Sequence, residues 1–303
     1  MLVMLNFKNI ALMCALGLVE AGAHGAHEPH SHNHTKGFAA RNLVTVQSIY
    51  NNTIYPNNVA VIQSQGQSIP GLFAEEAAGR ITPLGNFTGF QDSIEYFFGL
   101  APVPQATGEG IFEADVVAFS SECPEVASSV VYLKVGQVNN VTGGLLPGAE
   151  AGVSILKQIA FWRFDASGAV LNYEAWIPTL QLWNQVSTGV NNQDPAVQHV
   201  QITQALCPAI QQNCIGADQQ YSDIDDCTSQ LSNKTYGTFD EVWGDNIVCR
   251  QIHVVLTTIR PDVHCPHVGP TGGSKCVDID YRVDYFDDEQ LLGIANPFLC
   301  STY

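Results

Sequence analysis

Basic residues are scarce in this 303-residue chain. It has 12 Lys and Arg residues and 29 Asp and Glu residues, so the formal net charge is -17. A nucleic-acid-binding surface needs many Lys and Arg side chains to neutralise phosphates, so the composition argues against that class of protein. Only 14% of residues are charged and 46% are hydrophobic, which excludes a disordered acidic protein and predicts a buried core. The length fits one large domain or two modest ones.

Long hydrophobic runs are also missing beyond the N-terminus. The apolar run over residues 10–19 follows Lys8 and precedes the small residues Ala21, Gly22 and Ala23, which suit a signal-peptide cleavage site. This run is too short to span a bilayer, and no later segment is long enough. We therefore predict a signal peptide over residues 1–23 and a secreted, extracellular protein without a membrane span.

Two further features favour export. The chain has five N-x-S/T sequons, which predict a glycoprotein, at Asn33, Asn51, Asn86, Asn140 and Asn233. Cys14 leaves with the signal peptide, and the remaining even number of cysteines predicts four disulfide bonds. These cysteines are Cys123, Cys207, Cys214, Cys227, Cys249, Cys265, Cys276 and Cys300. Many pairings are compatible with the sequence, so none is assigned.

A histidine-rich segment follows the predicted cleavage site, within residues 24–40. Its five histidines are His24, His27, His30, His32 and His34. Neutral imidazole is a favoured ligand of copper and zinc, so one interpretation is a metal-binding segment. The other interpretation is a flexible polar tail, since no rigid scaffold is evident around these histidines.

The distribution of cysteine divides the rest of the chain. Residues 41–190 contain one cysteine and residues 200–303 contain seven. The turn-rich stretch 187–194 between them is typical of a linker. We therefore predict an N-terminal domain over residues 41–190 and a cysteine-rich extension over residues 200–303.

Helical patterns open the N-terminal domain and strand patterns follow. Leu43, Val46 and Ile49 recur at helical spacing, and the stretch 89–99 has an apolar face that ends near Gly99. Residues 111–121, 128–138, 155–164 and 169–177 are strand-like, with a hairpin turn over residues 165–168. This order predicts an α+β fold, with helices on one face of a curved antiparallel sheet.

The stretches 79–99 (GRITPLGNFTGFQDSIEYFFG) and 161–176 (FWRFDASGAVLNYEAW) resemble the SnoaL-like, NTF2-like family, which includes scytalone dehydratase-like proteins. The resemblance implies a cone whose curved sheet wraps an apolar pocket. This scaffold hosts isomerases, dehydratases, cyclases and non-enzymatic binding proteins. Residues 243–253 and 260–276 resemble extensions of small secreted fungal proteins, which imply a disulfide-stapled helical and loop region without a known chemistry.

The location of histidine limits the catalytic groups of the N-terminal domain. Residues 41–190 contain no histidine, so a general base supplied by this domain alone has to be a carboxylate. The candidates are Asp92, Glu95, Asp115 and Glu174, of which Asp92 and Glu95 share a helical face. If the protein is an enzyme that abstracts a proton next to a carbonyl, Tyr132 or Tyr173 would polarise that carbonyl oxygen. The chain also lacks the nucleophile elbow, the phosphate-binding glycine loop and the dinucleotide fingerprint.

Aromatic residues of the strands allow two interpretations. Trp162, Phe164 and Trp176 either line a pocket for an aromatic ligand or fill the core. Arg80 either anchors an anionic ligand or forms a structural salt bridge. Arg163 and Glu174 lie on neighbouring strands and are expected to form an ion pair across the hairpin.

The cysteine-rich extension contains a candidate metal site. Residues 240–256 are predicted to form a helix, on which Cys249 and His253 face the same way. A disulfide from Cys249 to a nearby cysteine such as Cys265 would bring His253 close to His264 and His267. Three histidines with an open fourth position form a typical zinc or copper site. Alternatively, these histidines cap turns in an irregular loop.

Three functions remain open from the sequence. The first is a secreted protein that binds a small apolar or aromatic ligand, with no cofactor. The second is a cofactor-independent dehydratase, isomerase or cyclase that acts on a polyketide-like secondary metabolite. The third is an extracellular copper- or zinc-binding protein. The expected partner is a small molecule, with no nucleic acid, and a homodimer through the outer face of the sheet is a further expectation.

Overall fold

The computed structural model describes residues 37–188 and 195–301. The N-terminal part of the chain forms a curved six-stranded sheet with helices on one face. The predicted signal peptide, the five N-terminal histidines and the Asn33 sequon lie outside these residues. This is the α+β architecture that the SnoaL-like, NTF2-like resemblance implies, and the predicted fold class is confirmed. Within the described ranges, no helix is long and apolar enough to cross a membrane.

The sheet combines an antiparallel meander with one parallel pair. The strands are β1 (Phe73–Thr82), β2 (Gly85–Thr88), β3 (Glu109–Cys123), β4 (Val126–Gln137), β5 (Ser154–Phe164) and β6 (Val170–Trp176), in the order β2-β1-β6-β5-β4-β3. Strands β3 to β6 pair antiparallel as predicted, but β1 pairs parallel with β6. Strands β1 and β2 were not predicted from the sequence. In β1, Glu75 and Glu76 interrupt any apolar alternation.

Helices cover the inner face of the sheet and build the C-terminal extension. They are α1 (Gly37–Thr53), α2 (Asn57–Gln63), α3 (Phe90–Ile94), α4 (Pro104–Thr107), α5 (Leu180–Thr188), α6 (Pro195–Asn213), α7 (Ile224–Leu231), α8 (Ile247–Leu256), α9 (Pro261–Val268) and α10 (Asp288–Leu292). A π-helical turn over Glu95–Gly99 continues α3. The predicted linker at 187–194 falls between α5 and α6, and residues 189–194 lie outside the described part of the chain.

Aromatic side chains fill the space between the helices and the sheet. The ring centroids of Phe97 lie 5.1 Å from Tyr173, 5.9 Å from Trp162 and 5.4 Å from Phe73. All four side chains are buried in one core, together with Tyr50 of α1. Aromatic pairs at these separations add to the stabilisation from buried apolar area, so this cluster holds α1 and the π-helical turn on the sheet.

The hairpin between β5 and β6 fixes the strand register. Asp165 Oδ1 accepts hydrogen bonds from the backbone N–H groups of Ser167, Gly168 and Ala169 at 2.8–3.0 Å, as expected for an Asp-initiated turn. This register places Arg163 opposite Asn172. The expected ion pair between Arg163 and Glu174 is therefore wrong.

The extension is helical and stapled by disulfides, as predicted. The bonds within it join Cys207 to Cys227, Cys214 to Cys265, and Cys249 to Cys276. Cys249 is therefore not bonded to Cys265, the partner suggested above. The predicted helix over residues 240–256 is shorter, because α8 starts after Asn246, whose side chain accepts a hydrogen bond from the Cys249 N–H and caps the helix.

The end of the chain returns to the sheet. A fourth disulfide joins Cys123 of β3 to Cys300. Arg163 Nη1 donates a hydrogen bond to the Pro297 carbonyl at 3.3 Å, and the ring of Phe298 lies 6.1 Å from that of Phe161. The C-terminal segment therefore covers part of the outer face of the sheet.

Candidate functional site

A buried carboxylate lies where the π-helical turn meets the C-terminal helices. Glu95 begins this turn, and only 2% of its surface is exposed. Its neighbour Tyr96 is also buried. Single π-helical turns are frequent at functional sites because they shift the side-chain positions of a helix. Here the turn directs Glu95 toward residues that the extension supplies.

Four charged or titratable residues form what we call the Glu95 cluster: Asp92, Glu95, Arg260 and His264. Arg260 donates from Nε to Glu95 Oε1 and from Nη2 to Glu95 Oε2, the latter at 2.6 Å. Arg260 Nη2 also donates to Asp92 Oδ1 at 2.8 Å. His264 Nε2 donates to Glu95 Oε2 at 2.8 Å. Both Glu95 oxygens are thus paired, as a buried carboxylate requires.

Three histidines, which we call the histidine trio, adjoin this cluster: His253, His264 and His267. One ring nitrogen from each lies within 4.8 Å of the other two. The Nδ1 atoms of His253 and His267 are 3.2 Å apart, and the Tyr96 hydroxyl lies 3.1 Å from His253 Nδ1. The structure therefore brings together the three residues that the sequence suggested as a metal site.

Burial keeps two members of the trio, His253 and His267, uncharged at neutral pH. Burial lowers the pKa of His253 well below its usual value, and the neighbouring His267 and His264 lower it further. Burial, with a smaller effect from His264, lowers the pKa of His267 to about 4. Burial also raises the pKa of Tyr96 well above its usual value. His253, His267 and Tyr96 are therefore neutral, and their ring nitrogens and hydroxyl can accept or donate hydrogen bonds.

Covalent and polar contacts hold α8 against α9 and so position the trio. Arg250 is fully buried; its guanidinium donates to the Gly269 carbonyl at 3.0 Å and to Asp245 Oδ1 at 2.6 Å. The Cys249–Cys276 bond anchors α8 to the following loop, and Cys214–Cys265 anchors α9 to the end of α6. These bonds fix the positions of the three histidines relative to one another, which a flexible loop would not do.

A narrow cleft reaches the Glu95 cluster from the surface. It is lined by Ile62, Gln65, Gln91, Ile94, Glu95, Ile259 and Arg260. The side chain of Arg260 is 27% exposed, whereas that of Glu95 is 2% exposed. The guanidinium therefore forms the accessible edge of the cluster, and the carboxylate lies behind it.

Residues 172–279 match the family model described as the BfoA family C-terminal domain. The match contains Arg260 and the histidine trio, while Glu95 lies outside it. Aurasperone B biosynthesis cluster protein A from Aspergillus niger is 25% identical over 266 residues, which cover 82% of this chain and 83% of that protein. Bifonsecin B biosynthesis cluster protein A from Aspergillus brasiliensis is 26% identical over 267 residues, which cover 82% of this chain and 85% of that protein.

A solved structure is also similar to about half of the chain. A protein described as a SnoaL-like polyketide cyclase from Jannaschia sp. CCS1 has a TM-score of 0.35 and 12% identity, and the similarity covers 52% of this chain and 98% of that chain. The BfoA family match begins within β6 and ends at residue 279, so it leaves out the last part of the cysteine-rich extension. The similarity to both Aspergillus proteins covers 82% of this chain.

The carboxylates suggested as catalytic lie in different places. Asp92 belongs to the Glu95 cluster. Glu174 is buried on the opposite face of the sheet, 3.3 Å from Arg80, which also pairs with Asp288 at 2.9 Å. Asp115 is partly exposed on β3 and lies 3.1 Å from Lys134. Of Asp92, Glu174 and Asp115, only Asp92 lies beside Arg260, which also contacts Glu95.

The tyrosines and the suggested pocket residues are also dispersed. Tyr173 is buried in the core, with its hydroxyl 3.1 Å from that of Ser93, and Tyr132 is partly exposed on β4. Trp162 and Phe164 are buried in the core cluster. Trp176 packs against Phe161, with ring centroids 5.9 Å apart. Arg80 forms the structural salt bridges described above. A catalytic or ligand-binding role of these residues stays a prediction.

The asparagines of the four sequons within the described residues lie at the surface. Asn51, Asn86, Asn140 and Asn233 are exposed. Their glycosylation stays a prediction. The disulfides are consistent with an extracellular protein, since such bonds persist in oxidising compartments.

Two residues of the site, Arg260 and Tyr96, were not predicted from the sequence. Arg260 carried no signal beyond its position before Pro261, and Tyr96 lay within an aromatic stretch typical of core. The absence of histidine from residues 41–190 was informative in another way. A site with both histidine and carboxylate requires the extension, and His264 of the BfoA family match supplies that histidine to Glu95.

Proposed function

We propose that this protein is an extracellular acid–base enzyme, of the cyclase, dehydratase or isomerase type, that acts on a polyketide-like aromatic metabolite. The buried contact between Glu95 and His264, beside Arg260, is the observation that carries the proposal. The similarity to Aspergillus proteins named for the biosynthesis of aurasperone B and bifonsecin B supports the substrate class. Simple ligand binding would not require a charged cluster of this kind in the interior.

The Glu95 cluster has the groups that proton abstraction next to a carbonyl needs. The Glu95 carboxylate would accept the proton, and His264, which donates to Oε2, would hold that carboxylate in position. The partly exposed Arg260 guanidinium would stabilise the negative charge that develops on the carbonyl oxygen. The proton would then return to the leaving hydroxyl in a dehydration, or to another carbon in an isomerisation.

Substrate would approach through the narrow cleft. Ile62, Ile94 and Ile259 give this cleft an apolar wall, and its volume of about 10 Å³ has room for about one water molecule. The cleft has to widen to admit a ring, so binding is expected to move the start of α9 away from α3.

Solvent deuterium exchange tests the proposed reaction. The purified protein is incubated in heavy water with aromatic polyketides that carry an enolisable carbonyl, beginning with precursors of the two metabolites named above. Mass spectrometry then follows deuterium incorporation and conversion. We expect incorporation or water loss well above the rate without protein. Binding of these compounds without any exchange or conversion would contradict the proposal and favour a ligand-binding protein.

A further inference from the structure

We propose that the histidine trio binds one divalent first-row transition-metal ion of the zinc or copper type. His253, His264 and His267 are 2%, 1% and 5% exposed, and each offers a ring nitrogen within 4.8 Å of the other two. Three imidazoles around one position are an established ligand set for zinc and copper. Zinc–nitrogen bonds are about 2.0–2.1 Å long, so binding would draw the three rings closer together.

An unpartnered nitrogen points to the ion independently of this distance. His264 Nδ1 is buried and has no hydrogen-bond partner among the described residues. The other ring nitrogen, Nε2, donates to Glu95, and in the neutral imidazole Nδ1 is then the nitrogen with a lone pair that can accept. A buried acceptor without a partner costs stability, and a metal ion would satisfy it. The hydrogen bond from a metal-binding histidine to a carboxylate is the usual arrangement around such ions.

The other two histidines also present lone pairs to one another. His253 Nδ1 and His267 Nδ1 are 3.2 Å apart, so one ring has to be protonated there for a hydrogen bond to form. A metal ion would replace this shared proton and accept both lone pairs.

The surroundings select for an ion that prefers nitrogen. Glu95 and Asp92 are paired with Arg260, so no carboxylate of the Glu95 cluster is free to bind a hard cation such as magnesium. The Cys249 and Cys276 sulfurs are close to His253 but are bonded to each other, so they are not thiolate ligands.

Metal titration of the full chain tests the proposal without any substrate. Untagged protein is freed of metal with a chelator, dialysed against zinc or copper, and analysed by mass spectrometry for bound metal. The comparison is with His267→Gln and with the matched control His199→Gln. His199 lies outside the trio, and its Nε2 lies 3.3 Å from the Leu231 carbonyl oxygen. The N-terminal histidines are present in every variant, so any metal that they bind is the same background in each.

We expect wild type and His199→Gln to bind one equivalent more than His267→Gln. We also expect zinc to raise the melting temperature of wild type more than that of His267→Gln. Equal metal content in wild type and a folded His267→Gln would overturn the proposal. If His267→Gln does not fold, cobalt substitution of wild type decides instead. A nitrogen-rich tetrahedral cobalt spectrum supports the site, and its absence overturns it.

This result is separable from the proposed enzyme activity. Loss of the metal site without loss of deuterium exchange would leave the acid–base proposal intact. A bound metal in a protein without exchange activity would contradict the proposed enzyme activity and support the proposed metal site.

Discussion

His264 donates a hydrogen bond from Nε2 to Oε2 of Glu95 at 2.8 Å, although the two residues are 169 positions apart in the chain. Glu95 belongs to the part of the chain that folds on the sheet, and His264 belongs to the disulfide-stapled extension. The extension therefore completes a polar site that the N-terminal part cannot form alone. The same contact orients His264 so that Nδ1 faces the interior.

Disulfide mapping provides a first test of how the extension is built. Non-reducing digestion and mass spectrometry should recover peptides that link Cys123 to Cys300, Cys214 to Cys265, and Cys249 to Cys276. These bonds position α8, α9 and the chain end. A peptide that links Cys249 to Cys265 would show that the histidine trio is arranged differently.

The core aromatic cluster predicts a large effect of Trp162→Ala. Trp162 is fully buried, and its indole N–H donates to Ser129 Oγ at 2.8 Å. Its removal should lower the free energy of unfolding by about 3–5 kcal/mol, measured by urea denaturation. The matched change Phe161→Ala, at a side chain that is 41% exposed, should cost about 1 kcal/mol. Similar small losses for both variants would indicate that Trp162 lines a cavity.

Glu174 makes stability depend on pH. Burial raises its pKa from 4.5 to about 7, and the opposing effect of Arg80 is smaller. Between these values the folded state holds a proton that the unfolded state has lost, so stability falls as pH rises toward 7. Glu174→Gln removes this dependence. Its stability relative to wild type should therefore rise by about 1–3 kcal/mol from about pH 5 to about pH 8. A constant difference across that range would contradict the assignment.

The sequence was sufficient for the meander but not for the whole sheet. Alternation in β3 to β6 and the Asp165 turn predict local antiparallel pairs, since both signals lie within neighbouring segments. The parallel pairing of β1 with β6 places Arg80 opposite Glu174, and nothing in the β1 pattern, which Glu75 and Glu76 interrupt, indicates it. Such long-range pairing depends on tertiary packing, which local patterns do not record.

The site shows the same division. The spacing of Cys249 and His253 on a helix, followed by His264 and His267 in a cysteine-containing turn, was enough to suggest the histidine trio. The approach of this trio to Glu95 was not predictable, because it depends on how the extension docks beside the π-helical turn. Disulfide pairing also had to come from the structure, since the sequence allows many combinations.

The most direct test of the central claim is the exchange rate of Glu95→Gln against wild type, with Glu113→Gln as the matched control. Glu113 is a partly exposed carboxylate paired with Lys134 on the sheet. Near-ultraviolet circular dichroism first confirms that each variant is folded. We expect Glu95→Gln to lose about 100-fold or more of the activity, while Glu113→Gln retains it. A folded Glu95→Gln with wild-type activity would contradict the account.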